Sequence, residues 1–287
     1  MLTAWRFDPV AAILLALAAV AYGWGVVRLH RAGERWPVRR TLAFVVLGLG
    51  SYAVVEFGFL AVYGPELRYA FSTRVALLLF VVPVLLAVGK PLELARRTLR
   101  GSASRAFAAV EGSRVTRIVG NAAVGTLVAV AVFSTFLTPL SGWARTTPWA
   151  DTAAGVVIPL LGAAIVLPLA GMSVAVTGLA LAAEFILAFA ELVLDAIPGV
   201  VLRLSDGIVD GIPQLGDLPS WFPSALRDQQ ISGDLLWMIA ELADIPILIF
   251  LFVRWSRMDR KEARRVDDLD DAELEELTRR HLGQRGA

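Results

Sequence analysis

The sequence contains no cysteine and only two histidines among its 287 residues. Without cysteine, the chain can form no disulfide, no thiolate metal site and no cysteine nucleophile. Both histidines, His30 and His281, fall in segments that we predict to be cytoplasmic, so no histidine cluster can form inside a membrane. Charged residues are also scarce, at 18% against 57% apolar residues. A soluble domain of this length carries more charge, so the composition predicts an integral membrane protein.

Lysine is almost absent as well, with two residues against 25 arginines. The basic residues concentrate in three segments, Arg28–Arg40, Lys90–Arg117 and Arg254–Arg265. Basic loops beside membrane helices face the cytoplasm, which places the N-terminus outside and the C-terminus in the cytoplasm. Because the arginines follow this topology and form no soluble basic face, we expect no nucleic-acid partner.

Long apolar runs fill most of residues 1–255 and predict an all-α transmembrane domain. A helix of about 20 residues spans the roughly 30 Å of a bilayer's hydrocarbon core. The runs predict a bundle of about seven helices, at residues 10–27, 42–63, 72–88, 118–137, 151–169, 172–197 and 234–253. The first run is too long for a signal-peptide core and no cleavage site follows it, so we expect it to be retained. The predicted location is the plasma membrane of a prokaryote, in contact with its lipids.

Two segments outside the predicted helices carry patterns of their own. Residues 198–227 form the longest outer loop, in which Val200–Ile212 alternates apolar and acidic residues in a helical rhythm. This pattern predicts an amphipathic helix at the outer interface, either a docking surface or a cover for the bundle. Residues 256–287 form a charged cytoplasmic tail with a short helix, since acids come first, arginines last and a glycine follows.

Several carboxylates fall inside the predicted helices and are candidate functional residues. They are Glu56, Glu184, Glu191, Glu241 and Asp244. An acid within a membrane faces protein or water rather than lipid. Arg74 lies at a depth similar to that of Glu56 and could form an ion pair with it. Two interpretations stay open: these groups hold helices together, or they line a pathway for protons or cations.

The most distinctive polar cluster, Asp228, Gln229 and Gln230, opens the motif DQQISG just before the last apolar run. Four other motifs accompany it: FDP at Phe7–Pro9, YGWGVVRLHRAGERWP at Tyr22–Pro37, VVPVLLAVGKPL at Val81–Leu92 and LPLAG at Leu167–Gly171. Through these motifs the chain resembles the CtaG-like family of cytochrome c oxidase assembly factors. The resemblance implies a seven-helix fold, a role in terminal-oxidase biogenesis, subunits of a haem-copper oxidase as partners, and copper as the metal supplied.

The resemblance also implies two histidine pairs, each with its members four residues apart. In this sequence Phe71 and Val75 stand at the first pair, and Asp151 and Gly155 stand at the second. Copper sites in proteins are built from imidazole, thiolate or thioether groups, and the chain offers few of these. The sequence therefore predicts no copper site and no cofactor in this chain.

The sequence contains no glycine-rich phosphate loop and no nucleophile elbow, so we expect no enzymatic activity. Three functions stay open. The first is a factor in terminal-oxidase biogenesis that acts through protein contacts without a copper site of its own. The second is a structural or accessory subunit of a membrane respiratory complex. The third, less favoured, is a proton or cation pathway lined by the intramembrane carboxylates.

Overall fold

A computed structural model describes residues 4–119, 122–169, 178–212, 222 and 224–242, with isolated positions nearer the C-terminus. In this part of the chain every regular element is a helix and no strand is present, which confirms the all-α prediction. Helices are numbered below in chain order.

The chain begins with three long apolar helices, each long enough to cross a membrane. These are α1 (Pro9–Arg31), α2 (Val38–Tyr63) and α3 (Arg68–Val88). Asp8 caps α1 by accepting hydrogen bonds from the backbone N–H groups of Val10 and Ala11, at 2.8 and 3.1 Å, which satisfies two of the free donors of the first turn. Both α2 and α3 widen into π-helical turns, at Ala43–Leu49 and Leu77–Val81.

Three short helices follow α3 at the arginine-rich end of the bundle. They are α4 (Pro91–Thr98), α5 (Ser102–Glu111) and α6 (Arg114–Val119). The turn into α4 is tied to α1, because the Tyr22 hydroxyl donates to the carbonyl of Gly89 at 2.9 Å and accepts from the Trp36 indole at 3.0 Å. Two of the motifs described above, Tyr22–Pro37 and Val81–Leu92, therefore meet at one structural contact.

The next helix, α7 (Ala122–Ser134), ends in a 3₁₀ turn at Thr135–Leu137. The chain then bends by 84° into α8 (Pro139–Thr146), and α9 (Pro148–Leu169) follows. Prolines open both α8 and α9, where a missing N–H costs nothing. The connection between the predicted spans at 118–137 and 151–169 thus contains a helix, set at 84° to the one before it.

The last two helices are α10 (Gly178–Leu204) and α11, residues 225–242. The predicted end of α10 at Ile197 is wrong, because the helix continues through Pro198. Proline is tolerated inside membrane helices when neighbouring helices support the chain. Here α11 gives that support: a Cβ added to Gly199 would lie 2.7 Å from the carbonyl oxygen of Gly233, so the two backbones are in direct contact.

The amphipathic helix predicted over Val200–Ile212 is also wrong. Residues 200–204 end α10, and residues 205–212 are not helical. The side chain of Gln229 binds this segment at two points, accepting from the N–H of Val209 at 2.8 Å and donating to the carbonyl of Gly207 at 2.9 Å. These bonds replace the backbone partners that a helix would have used.

Within the described residues, α1, α2, α3 and α9 are long and apolar enough to span a membrane, and the bent α7–α8 pair would add a fifth span. The predicted sixth and seventh spans include residues 172–177 and 243–251, which lie outside the described residues. Nearly all of the tail at 256–287 lies outside them too. Seven spans and the orientation in the membrane stay predictions.

The largest apolar core joins α3, α7, α10 and α11. Phe71 and Val75 of α3 pack there with Phe133, Leu202 and Leu236, all almost fully buried. A second core at the arginine-rich end holds Tyr22, whose ring stacks on Phe44 with 3.9 Å between centroids. The cores fix α3 at the centre of the bundle, which determines where its two arginines can reach.

Candidate functional site

Arg74 lies at the centre of a buried ion cluster between α2, α3 and α9. Its guanidinium donates to both carboxylate oxygens of Glu56, at 2.9 and 2.8 Å, and also to the carboxylate of Asp151. Arg6, just before α1, donates to the other oxygen of Asp151 at 2.5 Å. Glu56 and Arg74 are at most 1% exposed. Two cations and two carboxylates make this group, which we call the Arg74 cluster, neutral.

Local structure explains how these four side chains meet. Glu56 lies in the last turn of the segment Gly50–Phe57 of α2, and the chain then turns back into α3, so Glu56 and Arg74 reach similar depth. Asp151 lies in the first turn of α9, where the helix dipole favours a carboxylate. Arg6 is held in place because its backbone N–H donates to the carbonyl of Phe57 at 2.9 Å.

A second buried group lies nearer the beginning of α3 and contains Arg68, Arg145, Asp210 and Asp228. Arg68 makes a two-pronged contact with Asp210, at 2.9 and 3.0 Å, and lies 3.7 Å from Asp228. Arg145 of α8 approaches Asp210 at 3.4 Å. All four residues are at most 7% exposed. This group, the Arg68 cluster, is also neutral.

The polar motif in the first turns of α11 connects three parts of the fold. Asp228 accepts hydrogen bonds from the backbone N–H groups of Arg68 and Tyr69, at 2.7 and 3.0 Å, and so caps α3 from another helix. Ser232 donates to Ser72 at 2.7 Å. Gln230 differs from its neighbours, since it is half-buried and, within the described residues, its side chain accepts a single hydrogen bond, from Arg227 at 3.4 Å. Asp228 and Gln229 are therefore structural links between α3, α11 and the segment after α10.

A cavity of about 340 Å³ opens between the two clusters. Its charged lining consists of Arg6, Asp8, Arg145 and Asp151, so it is balanced in charge. Partial burial raises the pKa of Asp8, but the N–H groups of Ala11 and Val10 and the hydroxyl of Thr152 outweigh it, and the pKa falls below its ordinary value. Asp8 is therefore a fixed anion rather than a proton acceptor at neutral pH.

The structure relates the predicted acids to one another only in part. It brings Glu56 to Arg74, while Glu241 accepts a hydrogen bond from the Trp237 indole on the same helix at 2.9 Å. Glu184 and Glu191 lie on the backbone of α10, but their side chains are outside the described residues, as is all of Asp244. Convergence of these acids on one cavity stays a prediction.

Sequence reasoning did not select five of the cluster residues as a site: Arg6, Arg68, Arg145, Asp151 and Asp210. One signal was available. Arg68 and Arg145 fall in connections predicted to face outwards, where the positive-inside rule disfavours basic residues. A buried arginine in such a place needs an acidic partner, but the partners here, Asp210 and Asp228, lie far along the sequence.

Comparison of the sequence with known protein families identifies the family of this chain. A family model described as "Cytochrome c oxidase caa3 assembly factor" matches residues 20–258, which is most of the chain. The chain belongs to this family. The prediction made from the sequence motifs is thereby confirmed.

Individual relatives of this family member are bacterial. Two uncharacterized proteins, from Mycobacterium bovis and Mycobacterium tuberculosis, are each 26% identical to it over 288 residues. The aligned region covers 96% of this chain but 43% of each relative. The chain therefore spans less than half the length of the curated relatives it matches. No solved structure matches it significantly.

The two positions where CtaG-like proteins are expected to carry histidine pairs have other roles in this member. Phe71 and Val75 pack in the largest apolar core. Asp151 binds Arg74 and Arg6, and Gly155 has no side chain. A Cβ built on Gly155 would lie 2.5 Å from a carboxylate oxygen of Glu56 and 2.9 Å from a nitrogen of Arg74. The residues present at these positions do not fit copper, because the space beside them holds a guanidinium and its carboxylates.

No group of three or more histidine, aspartate or glutamate side chains in the described part of the chain is close enough to hold a metal ion. The Arg74 cluster holds α2, α3, α9 and the leading segment together as a fixed ion network.

Gly155→Ala tests how tightly the Arg74 cluster fills this space. We expect the new methyl group to displace Glu56 or Arg74 and to lower the free energy of unfolding by about 1–3 kcal/mol. Denaturant titration in detergent micelles measures this change. Gly23→Ala is the matched control, because a Cβ at Gly23 in α1 meets nothing within 4 Å. We expect it to be neutral or stabilising by up to about 1 kcal/mol. An equal loss in both variants would contradict the tight packing.

Proposed function

We propose that this member of the caa3 assembly-factor family acts in terminal-oxidase biogenesis by contacting oxidase subunits, without a copper site of its own. The observation that carries the proposal is the position of Arg74. Its guanidinium binds Glu56 and Asp151 and fills the space beside Gly155 that a side chain would occupy. Asp151 and Gly155 stand where the second histidine pair of the family is expected.

The charge of Arg74 supports this proposal. Arginine keeps its proton at any physiological pH. A copper ion at the same place would meet a fixed positive charge and would have to displace it from two carboxylates. Copper also prefers imidazole and sulfur ligands to carboxylates. We therefore assign the cluster a structural role and propose no catalytic activity for the chain.

We place the protein in the bacterial plasma membrane with its arginine-rich end in the cytoplasm. The contact of Tyr22 with Trp36 and Gly89 supports this placement, since it puts two predicted cytoplasmic segments at the same end. At the opposite end, Trp143 and Trp149 are exposed and contact each other with 5.2 Å between ring centroids. Exposed tryptophans are suited to a membrane interface or to a protein partner in the membrane.

Copper content tests the absence of a copper site. The detergent-purified chain is loaded with Cu(I) or Cu(II) and freed of excess, and bound metal is measured. We expect far less than one copper per chain, because no imidazole or thiolate ligands surround the Arg74 cluster. A family member that carries both histidine pairs serves as the loaded control. Stoichiometric copper in this chain would overturn the proposal.

Co-purification tests the contact-making role and separates it from that of a permanent subunit. We propose that the full-length protein is recovered with immature oxidase subunits and is absent from the mature enzyme. Recovery with the mature enzyme in a fixed ratio would favour an accessory subunit instead. No observation favours a proton pathway at Glu56, because both of its oxygens accept hydrogen bonds from Arg74.

A further inference from the structure

A cavity of about 240 Å³ lies at the arginine-rich end, between the end of α1 and the end of α4. Four arginines line it: Arg28, Arg31, Arg97 and Arg100. Its remaining lining is uncharged and includes Leu29 and Thr98, both buried. Among the residues that the structure describes, no acidic side chain lines it, so their contribution to the cavity is positive charge only. Such a cavity attracts anions and concentrates them.

Neighbouring residues leave most of this charge uncompensated. The nearest carboxylate partner is Glu93, which binds Arg97 at 2.7 Å but is shared with Arg40 at 3.0 Å and Lys90 at 3.8 Å. Arg28 lies over the Trp24 ring, 4.9 Å from its centroid. The side chains of Arg31 and Arg100 are exposed and form no ion pair with any residue that the structure describes. These two guanidinium groups are available to a ligand.

The surface next to the cavity indicates what kind of anion it binds. Val20, Trp24, Val27 and Arg31 are separated by four, three and four residues, so they form one stripe along α1. The three apolar members are 69%, 49% and 49% exposed. Because α1 is apolar and long enough to cross a membrane, this stripe faces lipid and ends at the cavity. A ligand with a phosphate next to long alkyl chains matches both surfaces.

We propose that this cavity binds the headgroup phosphate of an anionic phospholipid, whose acyl chains lie along the stripe of Val20, Trp24 and Val27. Arg31 and Arg100 bind the phosphate, since arginine matches phosphate oxygens with paired N–H donors. Arg28 and Arg97 form the walls and add positive charge. Bound lipid would fix α4 against α1. This inference does not depend on the proposed role in oxidase biogenesis.

The test compares phosphatidylglycerol with the neutral lipid phosphatidylcholine. Both lipids are titrated onto the detergent-purified full chain, and binding is measured by native mass spectrometry. We expect a clear preference for phosphatidylglycerol in the natural protein. In the double variant Arg31→Gln/Arg100→Gln, loss of two charges near the surface should weaken phosphatidylglycerol binding about 30-fold. Binding of phosphatidylcholine should not change.

A charge-matched control distinguishes a site from general surface charge. Arg35→Gln/Arg105→Gln removes two exposed arginines outside the cavity and should weaken phosphatidylglycerol binding by no more than about threefold. Equal losses in the two double variants would overturn the proposal. Competition by inorganic phosphate at similar concentrations would also overturn it, since it would indicate a free-anion site. Unfolding of the Arg31→Gln/Arg100→Gln variant, measured without anionic lipid, should match that of the natural protein, which verifies that weaker binding does not come from misfolding.

Discussion

Replacing Arg74 with leucine is expected to be among the most destabilising single changes in this protein. The substitution leaves Glu56 without any charge partner and removes one of two partners from Asp151, while both carboxylates are almost fully buried. Breaking a buried pair by removing one member costs about 3–5 kcal/mol. Denaturant titration in detergent micelles should show this loss in the free energy of unfolding.

A second substitution identifies the cause of that loss. Adding Glu56→Gln to Arg74→Leu removes the unpaired charge, so we expect the double variant to recover about 1–3 kcal/mol. Arg105→Leu is the control for loss of a surface arginine, since Arg105 is exposed on α5, and it should stay within about 0.5 kcal/mol of the natural protein. If Glu56→Gln instead worsened the single variant, unpaired charge would not be the cause.

Much of the helical framework follows from the sequence because it depends on local composition. Long apolar runs predict spans wherever they occur, and prolines at the first turns of α1, α8 and α9 mark helix starts. The family follows from motifs spread along the chain. Pro198 shows where local reasoning fails: it predicts a helix end, yet α10 continues because Gly199 and Gly233 bring α11 into direct backbone contact. That contact depends on tertiary packing, which the local pattern does not contain.

The buried clusters were less accessible to sequence reasoning for a similar reason. Glu56 and Arg74 are 18 residues apart on consecutive helices, so their pairing could be inferred from depth. Arg68 and Asp228 are 160 residues apart, and Asp151 lies 77 residues beyond Arg74. Nothing in the spacing of the sequence relates such distant residues. Asp151 was considered only as a missing histidine, and the structure gives it a positive role as the link between Arg6 and Arg74.

Replacing Asp228 with alanine is the second change with a large expected effect. Asp228 is fully buried, and its carboxylate accepts the backbone N–H groups that open α3 while facing the Arg68 guanidinium. Alanine leaves both N–H groups buried without acceptors and leaves Arg68 with one fewer counter-charge. Since a buried donor without a partner costs 1–3 kcal/mol, we expect the free energy of unfolding to fall by about 3 kcal/mol.

Hydrogen exchange and a neighbouring control locate this effect. In Asp228→Ala, the amides of Arg68 and Tyr69 should exchange faster with solvent, because the first turn of α3 loses its cap. Gln230→Ala is the control from the same motif. In the part of the chain that the structure describes, the Gln230 side chain hydrogen-bonds to Arg227 alone, so its replacement should change stability by no more than about 0.5 kcal/mol. Unchanged exchange at Arg68 and Tyr69 in Asp228→Ala would mean that the carboxylate does not hold the start of α3. Faster exchange there, with Gln230→Ala unaffected, would show that the polar motif at the start of α11 holds α3 in place, and a structural role of that kind needs no metal.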